Sequence, residues 1–231
     1  MTDRDTRQYS IVLCVLFLVC AIVFSAFPGI DLWASGFFWT AEDGFWINNV
    51  DWVRSLRSAL KKLMVLVFMA SALAWVLTLS WRPVLGIPAR AWAYSTLLFV
   101  IGPGLLVNVL LKEHWGRARP AKILEFGGEK HFTAALDIAD QCAQNCSFVS
   151  GEGAGATALL LATIVLARAG PHHRIGQVFV RIVWPLAVIA ICLRVMMGRH
   201  FLSDTLFSIL IVVGVGVILA RLLKIGATSD P

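Results

Sequence analysis

Two stretches of this chain, residues 63–81 and 91–111, contain no charged side chain. Each is long enough to cross the hydrocarbon core of a bilayer, which takes about 20 helical residues. Lipid offers the backbone no hydrogen-bond partners, so such runs fold as helices. Four further apolar runs, 11–27, 151–168, 176–194 and 204–221, complete a set of six predicted spans. The expected fold is therefore all-α and polytopic, a single membrane domain over 1–231. Composition agrees: 15% of residues are charged, against about 25% in a soluble domain.

The segments between the spans read consistently with this plan. Pro28-Gly29 stops the first run, and no A-x-A site follows it, so a retained helix is expected rather than a cleaved signal peptide. Residues 28–58 are aromatic and mixed, an expected interfacial loop. Val50–Lys62 carries Arg54, Arg57, Lys61 and Lys62 at helical spacing and is predicted to lie along the headgroups. Trp81-Arg82-Pro83 ends the second span, and Gly102-Pro103-Gly104 predicts a kink in the third. A polar segment covers 112–150, and small residues crowd the start of the fourth span, favouring close helix packing. The fifth run contains Arg181 and Pro185.

Six spans place both termini on one side and the polar segments 112–150 and 195–203 on the other. Short basic connections point to cytoplasmic termini. The net charge of +6 comes from scattered residues flanking apolar runs, with no basic tract of the kind that binds nucleic acid. Cys142 and Cys146 lie in the polar segment and are placed to form a disulfide if it faces an oxidising compartment.

Three clusters of chemistry-bearing residues fall on that second side. Lys112 and Arg119 are seven apart in K-E-H-W-G-R-A-R-P, two turns along the third helix if it runs on. Ser150-Gly151 opens the fourth span, where free backbone N–H groups favour an anion. In R-V-M-M-G-R-H-F-L-S-D, His200 and Asp204 are four apart, so a helix beginning there puts them on one face. Gly198 is placed to break the chain so that Arg194 joins them. Fixed cations, an N–H cradle and a His beside a carboxylate suit a phosphate, with the imidazole attacking in line. No carboxylate cluster suited to Mg²⁺ is evident, so no metal or other cofactor is expected.

K-x6-R-P, S-F-x-S-G and R-x5-H-x3-D, in that order across residues 112–204, resemble the type 2 phosphatidic acid phosphatase (PAP2) superfamily of integral membrane lipid phosphatases. The resemblance implies a covalent phosphohistidine at His200, oriented by Asp204. It implies phosphate binding by Lys112, Arg119, Arg194, Ser150 and Gly151, and a site facing the periplasm from the bacterial inner membrane. The second motif departs from the usual P-S-G-H: Glu152 stands where a His protonates the leaving oxygen. A glutamate with a reference pKa of about 4.3 donates a proton at neutral pH only if its surroundings keep it protonated. Glu152 as catalytic acid, His114 or His131 in its place, a leaving group needing no proton, and Glu152 as a first-turn helix residue all remain open.

The expected activity is metal-independent removal of phosphate from a membrane lipid. Lipid A phosphate is preferred because Arg117, Lys122, Lys130 and Arg199 suit a polyanionic headgroup. Undecaprenyl diphosphate, phosphatidylglycerol phosphate, phosphatidate and phosphotransfer between lipids are the alternatives. A lipid-phosphate binder that has lost its chemistry is the non-enzymatic one.

Overall fold

The computed structural model describes residues 3–80 and 83–226. Six helices in it are long and apolar enough to cross a membrane. They are α1 (Asp3–Ala26), α3 (Asp51–Ser80), α4 (Ala89–His114), α5 (Gly151–Ala169), α6 (His173–Met196) and α7 (Leu202–Leu222). Between α1 and α3 lie a short helix α2 (Gly29–Gly36) and a two-stranded hairpin, Trp39–Thr40 with Gly44–Phe45.

α5 is the centre of the bundle. Gly153, Ala154, Gly155, Ala156, Thr157 and Ala158 are all buried. Their small side chains let α4, α6 and α7 approach its backbone, the packing mode available where lipid removes the hydrophobic drive between helices. α1 packs on α7 and α3 on α4, each turning large apolar residues such as Ile22 and Leu66 outward, where lipid covers them. Tyr9, Arg90, Arg168 and Gly226 line one cavity at the end of the bundle that carries both termini.

One expectation changes. Val50–Lys62 does not form a separate surface piece: residues 51–62 are the first turns of α3. Val53, Leu60 and Met64 form a buried inward stripe along it, which fixes the helix against the bundle and carries Arg57 and Lys61 to the cavity described below. In α4, Pro103 has no N–H to give, and the helix widens to π-geometry over Val100–Leu111, around the predicted kink. The Asn108 amide donates to the Pro103 carbonyl at 2.6 Å. Of the predicted stop Trp81-Arg82-Pro83, residues 81–82 lie outside the described residues; α3 is described to Ser80.

Candidate active site

A cavity of about 650 Å³ opens between α3, α4, α5 and α6 at the end of the bundle away from the termini. Arg57, Lys112, Arg119, Glu152, Arg194 and His200 line its polar end, and Met64, Phe68, Phe99 and Pro103 its apolar wall. Lys112, Arg119, Gly151, Glu152, Arg194 and His200 thus come together from sites far apart in the chain. Ser150 and Asp204 lie behind them. His114 and His131 do not line the cavity; His114 is exposed, with Nδ1 on the Leu110 carbonyl at 2.7 Å.

Each lining group arrives by a local device. α4 ends at His114, and Gly116 turns the chain with φ +69°, where a Cβ would sit 1.6 Å from the Ala139 carbonyl oxygen. Arg119 therefore reaches the cavity through an extended segment and not along a continued helix. Asn145 joins the two cations: Lys112 Nζ donates to its side-chain oxygen at 2.9 Å, and Arg119 to its carbonyl at 2.7 Å. Asn145 sits in the loop closed by the Cys142–Cys146 disulfide. Ser150 is the N-cap of α5, accepting from the Gly153 N–H at 3.1 Å, so its hydroxyl serves the helix. Gly151 brings the helix start against Asn108, whose amide oxygen would lie 2.7 Å from a Cβ there. Gly198, with φ +61°, breaks the chain between Arg194 and His200, and the N–H groups of Arg199 and His200 fold back onto the Arg194 carbonyl.

His200 Nδ1 is 2.7 Å from the Ser147 carbonyl oxygen and 3.8 Å from Asp204 Oδ2. A carbonyl only accepts, so Nδ1 carries the ring hydrogen and Nε2 keeps its lone pair for the cavity. Burial pushes the imidazole down to about 4, aided by the Arg194 charge and opposed by Asp204. At neutral pH the ring is uncharged.

Asp204 does not bond the ring directly; it anchors the frame around it. It accepts from Ser147 Oγ at 2.5 Å, from the Phe201 N–H at 2.9 Å and from Arg117 at 2.6 Å. Arg117 is fully buried, and its other arm holds Asp31 at 2.8 Å. Asp31 in turn accepts from the Ser203 N–H at 2.8 Å. Burial pushes the Asp31 carboxyl up, against the pull of Arg117. Arg117 is thus unavailable to a headgroup, contrary to the expectation from its place in a basic cluster. Its guanidinium neutralises two buried carboxylates and lies 4.2 Å over the Phe201 ring.

Glu152 is clamped. Arg57 donates to Oε2 through Nε at 3.0 Å and to Oε1 through Nη2 at 2.5 Å, and Arg194 Nη1 lies 3.2 Å from Oε2. Arg194 is buried, and neither its Nε nor its Nη1 makes a hydrogen bond; Nη1 has only the ion contact with Glu152, and Nε has no partner. A buried guanidinium with unmet N–H groups lining a cavity is a site prepared for an anion. Sequence reasoning missed Arg57, Asn108, Asn145 and Asp31. The stripe Val53, Leu60, Met64 was the available signal for Arg57; nothing in the sequence marks Asp31, which lies 172 positions from Ser203.

A six-span bundle holding five cations and a neutral histidine around one cavity defines a membrane phosphatase, and residues 93–225 match the PAP2 superfamily. The chain belongs to that superfamily of membrane lipid phosphatases. It is 36% identical to the lipid A 4'-phosphatase of Rhizobium leguminosarum, across 80% of this chain and 84% of that one. The lipid A 4'-phosphatase of Rhizobium etli is 35% identical, over 79% of this chain and 74% of its own. That of Francisella tularensis subsp. novicida is 28% identical, over 80% and 82%. No solved structure matches the chain.

Proposed function

We propose that this enzyme removes a phosphate from lipid A through a phosphohistidine on His200, with the site open to the periplasm. The observation that carries the chemistry is a neutral, buried imidazole that lines a cavity ringed by Lys112, Arg119 and Arg194, with Nδ1 taken up by the Ser147 carbonyl. Phosphate oxygens bind the unmet N–H groups of Arg194 and the N–H groups at the start of α5 near Gly151. Nε2 attacks phosphorus as the P–O bond to the sugar breaks, and the departing sugar oxygen takes its proton from solvent at the cavity mouth. Water then cleaves the P–N bond and restores the ring. The Ser147 carbonyl keeps the hydrogen on Nδ1 throughout, and Asp204 holds Ser147 in place.

The ion pairs of Glu152 favour a carboxylate that holds Arg57 and Arg194 in position over one that donates a proton. The apolar wall from Met64 to Pro103 suits acyl chains, and the names of the relatives favour lipid A over other lipid phosphates. Fixed cations stand where a metal would. The test is phosphate release by the purified enzyme from lipid A, undecaprenyl diphosphate, phosphatidylglycerol phosphate and phosphatidate, with and without EDTA. Fastest turnover of lipid A, unaffected by the chelator, is expected. Preference for another lipid overturns the substrate, and loss in EDTA restored by Mg²⁺ overturns the metal-free mechanism.

A further inference from the structure

A second cavity, of about 670 Å³, adjoins the first on the polar side. Arg119 and Asn145 line both, so they form the shared wall. Its other polar walls are Lys122, Lys130, Arg199 and Gln141, with Glu129 the one carboxylate. Three loops build it, and each adjoins a part of the catalytic cavity. Lys122 and Lys130 follow Arg119 on a segment tied by the Lys130 N–H to the Lys122 carbonyl at 2.9 Å. The disulfide loop leads into Ser147, and Arg199 immediately precedes His200.

The charges here are unspent. Among the described residues, Arg119, Lys122, Lys130 and Arg199 form no ion pair. Arg199 keeps a buried Nε with no hydrogen-bond partner, as Arg194 does in the catalytic cavity. Arg119 and Arg199 are close enough that their mutual repulsion, after burial, holds Arg119 below its usual range. Neighbouring guanidiniums held without a carboxylate between them are relieved by a bound anion.

We propose that this cavity is a second anion subsite, which takes another phosphate-class group of the same lipid headgroup while the reacting phosphate sits at His200. Building on the lipid phosphatase reading, the subsite makes a headgroup with two anionic groups the preferred substrate. Free phosphate shares that chemistry, and the measurements separate the two sources.

The test uses the purified full-length enzyme and a matched pair of lipids, lipid A with both phosphates and the same lipid carrying only the phosphate that is removed. Wild type is expected to show a KM about tenfold lower for the bisphosphorylated lipid, a difference typical of charged contacts. Lys122→Gln with Lys130→Gln, both at exposed positions, should raise KM for that lipid alone and leave kcat and KM on the monophosphate lipid intact. Arg199→Gln should act in the same direction. An unchanged KM ratio in these variants, or an equal rise on both lipids, overturns the subsite. Weaker inhibition by inorganic phosphate with the ratio unchanged assigns the cavity to released product and also overturns it. A wild type that cleaves neither lipid but cleaves another lipid phosphate overturns the substrate reading itself, and the subsite with it.

Discussion

Replacing Glu152 by Gln separates a holding role from an acid role. The carboxylate takes three hydrogen bonds from Arg57 and an ion contact from Arg194, with the Glu152 side chain 20% exposed and Arg194 3%. Gln keeps the shape and one acceptor oxygen but removes the charge between two guanidiniums. Hydrogen bonds to charged groups contribute about 1.5–3 kcal/mol. Arg57 is 35% exposed, which moves its share to the low end. If that energy orients Arg194 for the transition state, kcat falls about 10- to 100-fold, at about 1.4 kcal/mol per factor of ten. The loss should be equal on an alkyl phosphate and on a lipid diphosphate, since both need the same cations. A double-mutant cycle with Arg57→Met should show strong coupling. A proton donor behaves differently: the alkyl phosphate loses about 10²- to 10⁴-fold and the diphosphate is largely spared. That pattern refutes the holding role. A loss under about fivefold on both substrates leaves Glu152 as a first-turn helix residue only.

His200→Ala should abolish turnover while binding of a phosphate analogue persists, because the cations are held separately; acid-quench trapping should give no phosphoenzyme, and residual activity in a folded variant refutes the nucleophile. Single-turnover phosphoenzyme formation should keep its rate from pH 6.5 down towards 4, because the buried ring stays neutral over that window; a limb at 6.5 assigned to His200 contradicts this. The same shift affects stability. The folded value lies below the unfolded one, so the unfolded chain binds the proton first, and stability falls as pH drops from 6.5 to 4. Arg117→Met strands two buried carboxylates and should cost about 3–5 kcal/mol of stability; thermal inactivation at the wild-type temperature, with only KM altered, would return Arg117 to a headgroup role. After reduction, Cys142 and Cys146 should react with a membrane-impermeant thiol reagent in cells whose outer membrane alone is opened; labelling only after lysis reverses the topology.

The span count was determined by the sequence alone, because an uncharged run of 20 residues has one low-energy conformation in lipid. The three motifs were equally legible, since they are local: K-x6-R-P, S-F-x-S-G and R-x5-H-x3-D each lie within a dozen residues. Gly198 was readable as a break because a glycine between two polar groups in an apolar setting has few other uses. What each charge pairs with was decided only by the tertiary structure. Arg117 and Arg119 are two residues apart and look alike in sequence. One is sealed between Asp31 and Asp204, and the other lines two cavities. Arg57 reads as a headgroup anchor until α3 is packed against α5 and Glu152 meets it across 95 positions. Ion pairs depend on distances of a few ångström between side chains on different helices. No periodicity along one segment encodes such distances, so the sequence names the charged groups and the packing of the bundle chooses their partners.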